Sequence, residues 1–386
     1  MRVLHFLPVY VPAWQYGGPI LSVSRLCEGL VRHGVEVRVI TTNAGLSDYP
    51  LNQLGVKQIV NGVEVFYYKA DQTNGYIRSS SLLDSLAQHL IWADIIHISS
   101  IWQPLGIPIQ RAASDHGVPV FQTLRGALSP YSWMHGTYKK IPYYFLRERP
   151  LLQRAAAIQC TTKQEQREVD WLKLFPPIKL LPNPLDLSGF SVDNDLRRKW
   201  RADHNIPPSS PVFVIAGRIH HKKGLDLLPN VLSKFVDIPW HLLIIGNDED
   251  GSQHSLLKSF DSYDLLRRCH CFPSIPSSQL QGPLNASDWL LLPSRHENFG
   301  NIVIEALSCG CGAILSSNVG VAEMLSSCPG VLCGPRHLSS WINMIGNSIQ
   351  MTRPAESAEN WVKLRFGQDV IAQKAVEIYT DILSNG

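Results

Sequence analysis

Two stretches of this 386-residue sequence combine residue types that can do chemistry. The first is Gly217-Arg218-Ile219-His220-His221-Lys222-Lys223-Gly224. It follows an apolar run and precedes a helical pattern, a place where free backbone N–H groups can meet an anion. Arginine offers phosphate oxygens a planar fork, and lysine offers a point charge. Arg218 and Lys223 together would neutralise a diphosphate as negative charge develops on it. Taken alone, the stretch reads equally well as a solvated basic turn.

The second is Ser294-Arg295-His296-Glu297-Asn298-Phe299-Gly300-Asn301-Ile302-Val303-Ile304-Glu305-Ala306-Leu307. Gly300 marks a turn, and the pattern predicts a helix starting near Asn301. Glu297 then lies in the loop and Glu305 about one turn into the helix, among Ile304, Ala306 and Leu307 on what should be an apolar face. A carboxylate buried there without partners is costly. Sugar or ribose hydroxyls would supply those partners. The alternative is a glutamate that stabilises the helix start or pairs with an arginine.

These loops need elements to hold them. Short apolar runs alternate with amphipathic stretches, the pattern of a parallel sheet with helical crossovers. Strands are predicted at residues 3–7, 35–41, 95–98, 118–121, 157–160 and 178–181, with a helix over 20–33. Asn61-Gly62 between two β-rich runs predicts a hairpin. Pro182-Asn183-Pro184 then interrupts the chain, and strands resume at 212–216, 240–245, 289–292 and 312–316. Two α/β domains follow, each a doubly wound parallel sheet. Ligands in such sheets lie beyond the carboxyl ends of the strands, so a cleft between the domains is the expected site.

Length alone favours two domains. A chain that is 45% hydrophobic and 17% charged has the composition of a soluble globular protein. No apolar run approaches the ~18 residues of a membrane span. Residues 1–14 lack a small-residue cleavage site and read as a strand and loop rather than a signal peptide. The eight cysteines include the C-x-C pairs Cys269/Cys271 and Cys309/Cys311. Zinc sites usually use C-x-x-C spacing, so reduced cysteines packed in the core, no metal and a cytoplasmic location are expected. Net charge is +3, yet residues 111–167 hold nine Lys/Arg against three acids, which predicts a basic face on the amino-terminal half.

The G-R-x(4)-K-G pattern followed by Glu297 and Glu305, with seven residues between them, resembles the signature of glycosyltransferase family 4 (group 1). These are retaining enzymes of GT-B fold, among them bacterial enzymes that build lipopolysaccharide, exopolysaccharide and other envelope glycans. The resemblance covers nearly the whole chain, including Tyr16-Gly17-Gly18-Pro19, Asp94-Ile95-Ile96-His97 and Pro182-Asn183-Pro184. It implies an amino-terminal Rossmann-like acceptor-side domain over 1–185, a Rossmann-like nucleotide-sugar domain over 186–366, and a helix over 367–386 returning to the first domain. It also implies a nucleoside-diphosphate sugar donor, a glycan or lipid-linked acceptor, and neither cofactor nor metal nor nucleic acid.

Carried over by residue, Arg218 and Lys223 match the pair on the donor diphosphate, Glu305 the carboxylate on the ribose, and Glu297 the one facing the transferred sugar. Arg218, Lys223 and Glu297 are thus the expected catalytic residues. Gly300 and Asn301 match the turn whose N–H groups approach phosphate, with Asn298 and Phe299 in the same donor loop. Gly17 and Gly18 match a loop that closes on the donor from the other domain. Two positions depart from the pattern. Where many members carry a histidine, this chain has Arg125-Gly126, so Arg125 is expected to contact donor or acceptor, or to pair with a carboxylate. Asn247-Asp248-Glu249-Asp250 replaces a second glycine after Gly246. It resembles a metal-binding D-x-D and is read as a solvated loop.

Competing readings are an inactive GT-B chain that binds a nucleotide or a partner, and a sugar-nucleotide epimerase. A nicotinamide dehydrogenase would need a G-x-G-x-x-G after the first strand, which is absent. Finally, segment 131–149 mixes aromatics with four Lys/Arg and one acid. It reads either as a peripheral contact with an anionic inner membrane face or as a helix packing its aromatics into the core. Pro142 argues against one long helix there.

Overall fold

The computed structural model describes all residues except 14–16, 47–48, 74–75, 100, 135–136 and 386, so Tyr16, His135 and Gly136 lie outside the described residues. The chain forms two compact units, one of Met1–Leu185 with Gln368–Gly386 and the other of Asp186–Gly367. No described helix is long and apolar enough to cross a membrane.

The first unit is built on β1 (Arg2–Val9), β2 (Glu36–Thr42), β3 (Lys57–Val60), β4 (Val63–Tyr68), β5 (Ile95–Ile98), β6 (Val120–Thr123), β7 (Ala157–Cys160) and β8 (Ile178–Leu180). They form one sheet in the order β3-β4-β2-β1-β5-β6-β7-β8. All neighbours are parallel except β3 and β4, which make the Asn61-Gly62 hairpin at the edge. A parallel strand covered by helices is apolar on both faces, and β5, β6 and β7 are buried along their whole length. The helix Gly18–Arg32 follows β1, with a proline in its first turn where a missing N–H breaks no helical bond.

The second unit holds β9 (Val212–Ala216), β10 (His241–Ile245), β11 (Cys269–Phe272), β12 (Trp289–Leu292), β13 (Gly312–Ser316) and β14 (Val331–Gly334). Their order is β11-β10-β9-β12-β13-β14, all parallel. The edge strands β11 and β14 are absent from the sequence reading. Both are short, and neither has a fully buried residue, so neither needs the apolar run that marks a central strand.

The helix Gln368–Asn385 belongs to the first unit and packs along Gly18–Arg32. A Cβ on Gly29 would come within 2.7 Å of the Ala372 Cβ, so the glycine sets how closely the two helices approach. Tyr379 is fully buried and lies 2.7 Å from His97 Nδ1. His97 Nε2 donates to the Gln159 side-chain oxygen at 2.9 Å, which leaves Nδ1 to accept from the tyrosine. Burial drives His97 well below its usual value and keeps it neutral. His97 and Asp94 are therefore structural in this fold. Asp94 holds Arg2 at 2.7 Å, and that bond keeps its carboxyl below the ordinary value.

Two expectations need correcting. All eight cysteines are free, but Cys271 and Cys333 are exposed because they sit on the edge strands, whereas Cys309 and Cys311 are buried. Within segment 131–149, Pro130–Met134 is helical, and a second helix passes through Pro142. Thr137–Tyr143 runs on into a π-helical turn at Tyr144–Glu148 and a further turn at Arg149–Leu152. A proline inside a helix loses one backbone bond, and the wider turn follows directly after it.

Candidate functional site

In the second unit the candidate residues cluster on loops after β9, β10, β12 and β13, at the carboxyl ends of the strands. The loops after β9 and β10 touch. Gly217 N–H donates to Ile245 O at 2.9 Å, and Ile219 N–H to Asn247 O at 2.9 Å. A Cβ on Gly246 would fall 1.9 Å from Gly217 O, so the crossing admits only glycine. The loop then turns at His221–Lys223 and ends on Gly224 at φ 64°. A Cβ there would lie 2.3 Å from Pro293 O and 2.6 Å from Arg336 Nε. Arg336 spans the junction, donating to Gly224 O, Pro293 O and Asp226.

This junction carries Lys223 to Glu297, Nζ to Oε2 at 2.5 Å. The Glu297 backbone is fixed in turn, since its N–H donates to Asn318 O at 3.0 Å and its carbonyl accepts from Gly320 N–H at 2.8 Å. Phe299 is buried against Phe366. Gly300 caps the helix Asn301–Ser308, whose N–H groups face outward at its start. Asn298 and Asn301 are half-buried beside it. Arg218 does not join Lys223 and Glu297. Its side chain is 79% exposed and contacts Glu249 at 3.3 Å.

Glu305 lies one turn into that helix. Its one described bond is from Ser277 Oγ at 3.4 Å, and burial pushes its carboxyl up to about 7. A half-buried acid beside a helix start, with so weak a partner, is short of hydrogen-bond donors.

The acidic run after Gly246 is more than a solvated loop. Asp250 Oδ2 accepts from the His221 N–H at 3.0 Å and lies 2.8 Å from His221 Nδ1. Bonds from Ser252 and His221 hold its carboxyl well below the carboxylate range. Glu249 meets Arg218, and Asp248 pairs with Ile219 as an isolated bridge. The run pins the basic loop, a role that loop-to-loop spacing in the sequence does not reveal. His220, His221 and Asp250 also form the one group among the described residues with metal-ligand chemistry, their ligand atoms lying within 4.8 Å of one another. Its atoms are accounted for by loop closure.

In the first unit, Gly17 at φ 82° and Gly18 open the helix Gly18–Arg32, with no atom of the described residues within 4 Å of where each Cβ would stand. Arg125 follows β6 at φ 52° and donates to Ser22 Oγ at 2.8 Å and to Asn183 Oδ1 at 3.3 Å. Among the described residues it makes no ion pair with a carboxylate, contrary to one of its expected roles. Glu165, the acid nearest in effect, spends its oxygens on Gly126 and Thr161.

Known proteins share this organisation. Residues 17–185 match the family described as glycosyl transferase 4-like domain, and residues 197–361 match glycosyl transferases group 1. The D-inositol 3-phosphate glycosyltransferase of Jonesia denitrificans is 24% identical over 384 residues, which cover 92% of this chain and 89% of that one. Among solved structures, sucrose-phosphate synthase from Thermosynechococcus elongatus superposes with a TM-score of 0.73 at 18% identity, covering 100% of both chains. HepE of Anabaena, solved in complex with UDP, gives 0.76 at 17% identity, covering 99% of this chain and 100% of that one. With two domain families matched in sequence order on two parallel α/β units, the chain belongs to the group 1 glycosyltransferases of family 4 and is an enzyme of GT-B fold.

Proposed function

We propose that this enzyme takes a sugar from a nucleoside diphosphate and transfers it, with retention, to a glycan or lipid-linked acceptor in cell-envelope polysaccharide synthesis. The observation that carries the donor reading is Glu305, a half-buried carboxyl with one weak partner at the start of the helix Asn301–Ser308. Ribose hydroxyls would complete its bonds. Lys223 and Arg218 would hold the diphosphate, and Glu297, steered by Lys223, would face the sugar. HepE was solved with UDP, which makes uridine nucleotides the first donors to try.

In this reading the bond from the anomeric carbon to the diphosphate breaks, and the acceptor oxygen bonds to the same face of that carbon. The acceptor proton passes to a departing diphosphate oxygen. The rate gain is positional and electrostatic, and no metal or cofactor enters. The test is a thermal-shift screen of nucleotide sugars, then acceptor-free hydrolysis of the best donor, with the anomeric configuration of the first-formed sugar read by NMR. The expected result is slow hydrolysis with the donor's configuration kept. Inversion, or a glycosyl adduct on a side chain, sinks the mechanism. Nucleotide binding without hydrolysis favours an inactive binder, and an epimerised sugar favours an epimerase.

The acceptor side of the proposal draws on segment 134–149. Tyr144 is buried in contact with Trp102 and Trp133, so part of the segment is core. Met134 is exposed at the end of the helix Pro130–Met134, and Tyr138, Ile141 and Phe145 are exposed and recur every three or four residues, with Leu146 and Arg147 also exposed. That is one face of a helix, presented to solvent within the basic stretch 111–167. Its occupant in this reading is an anionic lipid surface at the inner membrane face. Flotation should show binding to anionic liposomes that falls with salt, at about 1 kcal/mol per basic residue near the surface. Phe145→Ser with Leu146→Ser should reduce it. Equal partitioning to neutral and anionic vesicles, or none to either, would favour a soluble acceptor met in solution.

A further inference from the structure

Lys223 stands between two backbone carbonyls that are both tied down. The Lys222 oxygen accepts from the Arg295 N–H at 2.8 Å. The Gly224 oxygen accepts from Arg336 Nη2 at 2.9 Å. Arg295 lies two residues before Glu297, the partner of Lys223, so the first of these bonds already joins the two loops. Arg336 joins them again from a third loop, the one that follows the edge strand β14. Its Nε donates to Pro293 O at 3.1 Å, just past the end of β12. Its Nη2 also donates to Asp226 Oδ1 at 2.7 Å, and Asp226 Oδ2 accepts from Arg295 Nη2 at 2.9 Å.

One guanidinium therefore meets acceptors on both the loop of Lys223 and the loop of Glu297. A planar fork fixes the angle between its donors, whereas a lysine offers a point charge on a flexible stem. The Arg336 side chain is 18% exposed, and Gly224 makes room for it, since a Cβ there would lie 2.6 Å from Arg336 Nε. Asp226 meets its charge and the two carbonyls take its other bonds, so what it gives the site is position. Without it, Gly224 O and Pro293 O lose a charged donor, and only the Lys222–Arg295 bond still sets the spacing of the loops at this point.

We propose that Arg336 is a positioning residue of the diphosphate clamp, acting through the Gly224 and Pro293 carbonyls to set where Lys223 stands relative to Glu297. The inference rests on the donor reading above, in which Lys223 meets the diphosphate. It adds a residue that touches neither substrate and belongs to neither of the two loops it serves.

The experiment measures how much more tightly the nucleoside diphosphate selected by the donor screen binds than its nucleoside, by calorimetry for the first and by competition for the second. The nucleoside reports on the ribose contact at Glu305, and the ratio reports on the clamp. Arg336→Gln should lower the ratio about tenfold, the scale of one lost charge-assisted contact, and leave nucleoside affinity unchanged. A merely structural role would weaken both together. Arg336→Lys keeps the charge without the fork and should recover little. In the Lys223→Ala background, Arg336→Gln should lower the ratio hardly further, because the group it positions is gone. Asp226→Asn loosens the guanidinium while leaving both carbonyl bonds possible. It should shift the ratio the same way by a smaller factor, which keeps the test open if Arg336→Gln folds poorly. An unchanged ratio in Arg336→Gln and Asp226→Asn overturns the proposal. So does full recovery by Arg336→Lys, or a loss that adds in full to that of Lys223→Ala. If Lys223→Ala lowers the ratio and Arg336→Gln does not, this inference alone fails. If Lys223→Ala leaves the ratio intact, the diphosphate clamp fails with it.

Discussion

Lys223→Ala is expected to lower turnover about 10²–10³-fold at saturating donor, the usual loss when one charge-stabilising group is removed from a transition state. Lys223 is the better anchored of the two cations. Gly224 and Arg336 fix its loop, and Glu297 holds its Nζ at 2.5 Å. In the proposed clamp it would therefore meet the leaving diphosphate already oriented. Arg218 is 79% exposed and, among the described residues, held by Glu249 alone, so in the proposed clamp it would have to reorganise to bind phosphate, and Arg218→Ala should cost turnover less than Lys223→Ala. Neither change should unfold the protein. Both Lys223 and Glu297 keep some contact with solvent, and a partly exposed ion pair contributes on the order of 1 kcal/mol or less. The check is kcat for both variants beside their melting temperatures. Near-normal turnover in both would remove the diphosphate clamp from this loop.

The second large effect is on nucleotide affinity. Glu305→Ala should weaken binding of the free nucleoside diphosphate about tenfold or more, because the ribose loses a charged hydrogen-bond acceptor. Glu297→Ala should leave that binding nearly unchanged and depress transfer. Calorimetry showing the reverse would mean that the two acids exchange roles. The position of Glu305 adds a pH signature. Its carboxyl is raised from 4.5 to about 7 by burial, so below that value the empty protein holds it protonated. In the proposed donor site, nucleotide binding would favour the ionised form, and affinity should rise as pH increases through about 7. The stability of the empty protein runs the other way. An acid bound more tightly to its proton when folded loses stability as pH rises from the unfolded value to the folded one. Glu305→Gln should flatten both profiles.

The central strands were legible because burial on both faces leaves little choice of residue. The runs at 157–160, 212–216, 289–292 and 312–316 coincide with β7, β9, β12 and β13. The edge strands β11 and β14 were not, since Cys269-His270-Cys271-Phe272 has no fully buried residue and lacks an apolar run of branched residues. At the site, the turn at Gly300 and the depth of Glu305 followed from local pattern alone. The bonds from Asp250 to His221, and the carbonyls that Arg336 spans, did not. They join loops 29 and more than 40 residues apart, and nothing in either loop names its partner. Arg125 shows the same limit. Its residue type suggested a contact, but whether a carboxylate neutralises it depends on Gly126 and Thr161 reaching Glu165 first.

The return of Gln368–Asn385 to the first unit bears on how the protein is made. The second unit is continuous in sequence, from Asp186 to Gly367, and can complete its sheet as it leaves the ribosome. The first unit, though translated earlier, must wait. Until the last helix emerges, the groove along Gly18–Arg32 that receives Ile371, Ala372 and Ala375 stays open, and His97 lacks the Tyr379 hydroxyl. During that interval the amino-terminal half exposes apolar surface over the time taken to synthesise some 180 residues, at about 5–20 residues per second. It is therefore this half, the first to be synthesised, that a holding chaperone would need to cover.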